Sequence, residues 1–209
     1  MKIVVKYTLL ALVFLLIGVA CGGWAFNHGA TSKRNQSSQG GGTVQTRLQM
    51  TFTKPQNVNT SGKKVFLNAS QNTDGNTAKM AKELFGNEKY TQINLSEYNI
   101  PQVGQGDGDY QKVFDQLKGA KVIVIGTPVY WSNMSGYLKT FMDHMNINSE
   151  LKGADLYTIV QGADSDQSAA IQSTYGSLNR IARRFELNFV GVGSNNSDMK
   201  VLHNQLVGE

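Results

Sequence analysis

Two short stretches of the sequence collect side chains that could bind a ligand. The first, "ASQNTDGNT" at residues 69–77, stands immediately before a helical pattern. Its candidate anion-binding residues are Ser70, Asn72, Thr73, Gly75, Asn76 and Thr77. Free backbone N–H groups and the helix dipole at a helix start both favour a phosphate. A plain cap at Asn76 or Thr77 needs fewer polar residues, and Walker and Gly-x-Gly-x-x-Gly patterns are absent, so a monophosphate is favoured.

The second stretch, "GTPVYWSNMSG" at residues 126–136, places large apolar groups where a loop is expected. We predict that Pro128 stiffens the turn and that Gly136 allows close backbone approach at the next helix. The residues predicted to line a flat heterocycle or its polar edge are Val129, Tyr130, Trp131 and Asn133. The alternative is that Tyr130 and Trp131 fold back over the edge of a sheet.

Both stretches follow apolar runs in a chain that alternates strand and helix patterns. The predicted strands are 64–69, 90–95, 121–126, 155–162 and 187–193, and the predicted helices are 76–85, 109–120, 135–145, 168–186 and 198–207. Such alternation predicts an α/β fold, because parallel strands need crossover helices. We therefore expect a flavodoxin-like, doubly wound, five-stranded parallel sheet in the order 2-1-3-4-5. Ligands in such sheets bind beyond the carboxyl ends of strands 1 and 3.

The pair of stretches resembles the NAD(P)H-dependent FMN reductase branch of the flavodoxin-like superfamily. The resemblance rests on "SQNTDGNT" followed by "GTPVYWSNMSGYLKTFMDH", and it covers residues 64–192. It implies FMN, with its 5′-phosphate held by Ser70, Asn72, Gly75, Asn76 and Thr77. The isoalloxazine ring would lie on residues 128–134, which include Met134. Gly162 and Ala163 would form a third loop beside the ring.

This chain departs from the family pattern at three places. Residues 99–110 after strand 2 contain no cysteine, which excludes the cluster of the iron–sulfur members. His144 stands where the family usually has arginine, and the third loop, "QGADSDQ", is acidic.

The resemblance implies an FMN-dependent oxidoreductase that passes electrons from NAD(P)H, or from a membrane donor, to a quinone, flavin or similar acceptor. The cofactor would supply the chemistry and the protein its orientation. No side chain is assigned as a catalytic acid or base. Two alternatives stay open, a membrane-tethered electron carrier and a non-catalytic flavin-binding protein. A homodimer is also considered.

The N-terminus carries an apolar segment, residues 7–26, without a charged residue. Twenty helical residues span about 30 Å, the thickness of a bilayer core. Residues 1–26 are therefore predicted to be an uncleaved anchor, a lipoprotein signal in which Cys21 of "GVAC" is lipidated, or another cleaved signal. The first two place the domain at the cell membrane on its outer side, although Lys33 and Arg34 argue for the reverse.

Charge and composition bear on the possible partners, metal sites and domain boundaries of the chain. Residues 1–64 hold eight Lys and Arg and no acid, whereas residues 65–209 hold 12 basic and 15 acidic residues, a net charge of −3. A nucleic-acid partner is therefore not predicted. One cysteine and three scattered histidines give no metal-ligand spacing. Residues 27–62 are predicted to be a flexible polar, basic linker and 63–209 the FMN-binding domain; residues 48–52 could dock on it or pair as a strand.

Overall fold

The computed structural model describes residues 49–163 and 166–209, in which strands and helices alternate. The strands are β1 (Lys64–Asn68), β2 (Thr91–Asn94), β3 (Val122–Tyr130), β4 (Asn133–Met134), β5 (Asp155–Gln161) and β6 (Asn188–Gly193). The helices are α1 (Asn76–Phe85), α2 (Tyr110–Leu117), α3 (Gly136–Asp143), α4 (Ser168–Phe185) and α5 (Asn196–Val207). A single 3-10 turn, Leu95–Glu97, follows β2 in this part of the chain.

Five of these strands form a parallel sheet in the order β2-β1-β3-β5-β6, and β4 pairs antiparallel with β3 alone. The predicted strand order is confirmed for the five parallel strands. The two central strands, β1 and β3, are paired from Lys64–Val122 to Asn68–Gly126. Because β3 runs four residues beyond Gly126, its end projects past the end of β1.

Two apolar layers cover the faces of the sheet, because side chains alternate along buried strands. One layer holds α2, α3 and α4, with Val113, Phe114, Leu138, Phe141, Tyr175 and Leu178. The other layer holds α1 and α5, with Ala81, Leu84, Phe85, Met199 and Leu202. Each buried leucine or phenylalanine contributes about 2 kcal/mol to folding, so these layers fix the helices that begin at the ligand-binding edge.

A segment ahead of β1, residues 51–59, packs against the far strand of the sheet. The Tyr175 hydroxyl accepts a hydrogen bond from the Thr51 N–H at 2.9 Å and donates one to the Thr51 carbonyl at 3.0 Å. The Phe52 ring meets Tyr175 and Phe189 edge to face, and the Thr53 N–H donates to the Phe189 carbonyl at 2.8 Å. We call this segment the strap.

A buried carboxylate fixes the next part of the strap. Asp155, fully buried at the start of β5, accepts hydrogen bonds from the backbone N–H groups of Gln56 and Asn57 and from the Asn188 amide. The linker prediction therefore fails for the strap, whose polar backbone is bound by the domain. Docking was the alternative considered for residues 48–52, and it is what Thr51 and Phe52 do.

The remaining N-terminal predictions lie outside the described residues. These are the anchor or signal at 1–26, lipidation of Cys21, and the linker over residues 27–48. Among the helices of residues 49–163 and 166–209, none is both long and apolar enough to span a bilayer.

Candidate functional site

The loop after β1 and the segment after β3 meet at the carboxyl edge of the sheet, as the sequence predicts. The Ala69 N–H donates to the Gly126 carbonyl at 2.8 Å. The Ser135 hydroxyl donates to the Ala69 carbonyl at 2.7 Å. Side chains that follow two different strands therefore share one edge, where doubly wound sheets bind ligands.

The first loop is shaped by side chains of the strands below it. Asn68, fully buried at the end of β1, accepts from the Ser70 N–H and donates to the Asn72 carbonyl and to Asn94. The buried Ser70 hydroxyl in turn accepts from the Asn72 N–H at 3.1 Å. Gln92 of β2 donates to the Thr73 carbonyl at 2.6 Å. The predicted anion-binding residues Ser70 and Asn72 thus set the loop's conformation.

Helix α1 opens at this loop without a side-chain cap. Gly75 is its N-cap, with φ −69° and ψ −167°, and no side chain of the described residues caps its first N–H groups. The first turn contains no acidic residue, and Asn76 is exposed. Thr77 is buried against Gly126, where an added Cβ would lie 2.6 Å from the Thr77 methyl. The exposed helix start therefore offers unpaired donors, which suit an anion.

The second stretch is a strand end and a β-hairpin rather than a loop. Pro128 lies inside β3, paired with Gln161, so the prediction that it stiffens a turn is wrong. The turn is formed by Trp131 and Ser132, with φ of 50° and 58°, the two left-handed residues of a type I′ hairpin. Trp131 is fully exposed at its tip. A non-glycine pair in this conformation is strained, and such strain clusters at functional sites.

A buried hydroxyl network holds the hairpin against the first loop. The Thr127 hydroxyl accepts from the Ser135 N–H at 2.9 Å and donates to the Pro128 carbonyl at 3.0 Å. The Ser135 hydroxyl also accepts from the Leu138 N–H and so caps α3. Both hydroxyl residues are fully buried, so the network is shielded from water and ties hairpin, first loop and α3 together.

A cavity of about 450 Å³ opens beside the hairpin. Its walls are Gln71 of the first loop, Leu95, Tyr98, Asn99 and Ile100 after β2, and Tyr130, Gly136, Tyr137 and Thr140. All nine walls are uncharged, and three of them are tyrosines. The cavity touches the first loop at Gln71 and the hairpin at Tyr130, and its volume is in the size range of small-ligand sites. None of the candidate anion-binding residues is among these nine lining residues.

His144 supports one wall of this cavity. It is buried at the end of α3, with its Nε2 atom 2.7 Å from the Pro101 carbonyl and its Nδ1 atom 3.4 Å from Asp107. Its ring stacks on Tyr110, and burial raises the pKa of that phenol to about 12. His144, which stands where the family usually has arginine, therefore has a structural role. It packs behind the loop that carries Asn99 and Ile100.

The third loop borders a second, smaller depression beside the hairpin. Gly162, Ala163 and Gln167 line about 220 Å³ together with Val129 and Trp131. An added Cβ on Gly162 would lie 3.1 Å from Val129, so a glycine lets the loop approach the hairpin. Residues 164 and 165 of this loop lie outside the described part of the chain.

Two predicted contact residues have other partners. Met134 is buried and packs in the layer of α2, α3 and α4. The Asn133 side-chain oxygen Oδ1 accepts from the Met134 N–H at 2.8 Å and from the Ser173 hydroxyl at 3.2 Å. The ligand contacts predicted for the thirteen candidate residues stay predictions, although the fold brings those residues to one edge.

Sequence reasoning missed the residues that position the site, which are Asn68, Thr127 and Ser135. Ser135 had a readable signal, because a serine directly before a helical pattern is a favoured N-cap. Asn68 and Thr127 had none, since their bonds depend on where neighbouring strands end.

Comparison with known proteins identifies the family. The profile of the family described as "NADPH-dependent FMN reductase" matches residues 63–183, more than half of the chain. The chain belongs to this family. The resemblance inferred from the two stretches is therefore confirmed at the family level.

Members and structural neighbours differ from this chain in most positions. The Bacillus subtilis (strain 168) protein YwqN, named provisionally as an NAD(P)H-dependent FMN-containing oxidoreductase, is 28% identical over 87 residues. That match covers 37% of this chain and 48% of YwqN, so the chain spans about half the length of this curated relative.

Three solved structures share the fold. The Trp repressor binding protein from Bacillus subtilis superposes with a TM-score of 0.55 at 18% identity, over 69% of this chain and 97% of that protein. An NADH:FMN oxidoreductase in its apo form gives 0.54 at 18%, over 70% and 87%. A WrbA-like flavodoxin from Agrobacterium tumefaciens gives 0.51 at 16%, over 71% and 94%. At these identities the likeness shows the flavodoxin-like fold.

Proposed function

We propose that the domain is an FMN-dependent NAD(P)H oxidoreductase that passes electrons to a quinone, a flavin or a similar acceptor. One observation carries the proposal: an uncapped helix start and an aromatic hairpin share the carboxyl edge of the sheet. Family membership supports the reaction class. The functions named for YwqN and for the apo NADH:FMN oxidoreductase point the same way.

The residues at this edge fit FMN. Its phosphate suits the open start of α1, which has free N–H groups and no acidic side chain in its first turn. Ser70 and Asn72 hold the loop in place for it. The aromatic rings of Tyr130 and Trp131, exposed by 47% and 100%, are available to cover a flat ring.

When bound, FMN supplies the hydride and electron transfer, and the protein holds it in place. Thr127 and Ser135 fix the hairpin relative to the phosphate loop. Tyr130 borders the larger cavity, where its ring would exclude water from one side of the site. The third loop packs against the hairpin where Gly162 approaches Val129.

The test is spectroscopic and uses the full chain purified in detergent. We expect the protein to retain FMN and to be yellow. Anaerobic NADPH should bleach the flavin within the mixing time, and a soluble quinone should restore the colour. Slow bleaching with semiquinone accumulating on chemical reduction would identify an electron carrier instead. No visible flavin after added FMN would overturn the proposal.

We further propose that residues 7–26 hold the chain at the cell membrane, with the domain on the outer side. The absence of charge over that length and the two preceding lysines support this assignment. The full chain should stay in carbonate-washed membranes, and protease added to intact cells should digest the domain. Cys21→Ser should release the protein only if lipidation at Cys21 is the anchor. Recovery of intact chain in the soluble fraction would contradict the proposal.

A further inference from the structure

Helix α4 displays a concentration of arginine that the rest of the domain lacks. Between Arg47 and the C-terminus, the sequence has three arginines, Arg180, Arg183 and Arg184, all within α4. All three are exposed, and none forms an ion pair with a residue that the structure describes. Helix α4 contains no acidic residue. The exposed side of α4 is thus basic, although the domain as a whole carries a net negative charge.

Helix stabilisation explains part of this pattern. Arg183 and Arg184 lie in the last turn of α4, where cations interact favourably with the helix dipole. Arg180 lies a turn earlier, beyond the range of that effect. Nearby lysines behave differently, since Lys139 and Lys152 are paired with Asp143 and Glu186. The three arginines have no such ion pair among the described residues, so they stay available to an external anion.

Apolar side chains border the same face. Arg180 and Arg184 share a depression between α3 and α4 with Met142, Met145 and Ile147, and Ile147 is 59% exposed. Exposed apolar groups beside arginines suit the boundary between lipid headgroups and acyl chains. The guanidinium fork also matches the geometry of a phosphate.

The strap docks on the same helix. Thr51 is bound to Tyr175 in the middle of α4, two turns before Arg183. The 48 residues ahead of the described chain contain five Lys and Arg and no acid. Charges of one sign thus precede the strap in sequence and continue on the helix where it docks.

We propose that the exposed face of α4, carrying Arg180, Arg183 and Arg184, docks on an anionic phospholipid surface. The arginines bind lipid phosphates, and Ile147 enters the headgroup region. Each basic residue near such a surface contributes about 1 kcal/mol, so three together favour docking roughly 100-fold. The proposal holds whether or not the domain turns over NAD(P)H.

The experiment measures how close α4 comes to lipid in the full chain. Cys21→Ser with Ser177→Cys leaves one thiol on α4 for a fluorophore, and Gln205→Cys on α5 gives a control site on the opposite face. Each labelled protein is mixed with vesicles of phosphatidylcholine, alone or with phosphatidylglycerol, that carry a lipid-bound quencher. Neutral vesicles report insertion of residues 7–26, and the added effect of phosphatidylglycerol reports docking of α4.

We expect phosphatidylglycerol to increase quenching of the α4 label, with little change at α5, and high salt to reverse it. The triple variant Arg180→Gln, Arg183→Gln, Arg184→Gln should lower the docked-to-free ratio roughly 100-fold. A matched triple variant, Lys79→Gln, Lys82→Gln, Lys200→Gln, loses the same net charge from the other face and should keep docking.

Three outcomes would overturn the proposal. Equal quenching with and without phosphatidylglycerol would show that docking of α4 does not require anionic lipid. Equal losses in the arginine and lysine variants would reduce the effect to net charge. A change in the α4 label that depends on protein concentration without vesicles would make this face an interface between copies of the chain.

Discussion

Helices α1 and α5 pack side by side on the same face of the sheet, yet only α5 has a side-chain cap at its N-terminus. The start of α5 is closed by its own side chains. Asn195 accepts from the Asp198 N–H, and Asp198 accepts from the Ser194 N–H and hydroxyl and from the Asn195 amide. The start of α1 has a glycine N-cap and no such bond. We therefore expect a polar loop before a helix to serve as an anion site only when its own side chains leave the helix donors free.

The largest expected effect is on FMN affinity, and it comes from capping the N-terminus of α1. Gly75→Asp adds a cap and a negative charge where we place the FMN phosphate. A like charge about 5 Å away contributes about 3 kcal/mol at an effective dielectric constant of 20, so FMN affinity should fall roughly 100-fold. Gly75→Asn has the same shape without the charge. Fluorescence titration with FMN that gave equal affinities for both variants would place the phosphate elsewhere.

A smaller effect is expected from loosening the hairpin, which is tied to the first loop through Ser135. Thr127→Val keeps the shape of the side chain but leaves the Ser135 N–H buried without its acceptor. Stability should fall by about 2 kcal/mol. FMN affinity should fall along with it, since the hairpin loses its link to the first loop. Urea unfolding and FMN titration measure the two changes. Thr158→Val serves as the matched control, because it removes a buried hydroxyl in β5 that has no hydrogen-bond partner among the described residues.

Removing the side-chain cap of α5 should affect stability alone. Asn195→Ala removes the cap of α5 and should cost about 1 kcal/mol of unfolding free energy. FMN affinity should stay unchanged, because α5 starts beyond β6 at the edge of the sheet. Phosphate titration of the variant tests the N-terminus of α5 for anion binding. If the variant bound phosphate there and the unaltered protein did not, an uncapped helix alone would suffice to make an anion site.

The smallest expected change is at the strained turn. Trp131→Asn suits the left-handed conformation and should stabilise the free protein by about 0.5 kcal/mol. FMN binding should weaken because the aromatic cover is lost. Thermal unfolding with and without FMN separates the two effects. If this variant lowered the stability of the free protein, the Trp131 side chain would have a packing role.

The sequence predicted the parts of this fold that depend on local pattern. Buried strands such as "KVIVIG" and the helical periods between them determine the order of the sheet, and the two ligand stretches follow from it. The hairpin was missed because Pro128 and the aromatics looked like a loop, whereas Pro128 extends β3 past the end of β1. The strap was missed because its polar sequence has no period, and its order comes from Asp155 and Tyr175, about a hundred residues away.

The strap also determines how the domain would carry a mechanical load. A pull on the chain ahead of Thr51 acts first on the contacts with Tyr175 and Phe189 and then on the hydrogen bonds to Asp155. Strands β5 and β6 therefore bear the force before it reaches β1. Force applied ahead of Thr51 therefore does not act directly on the loop that follows β1.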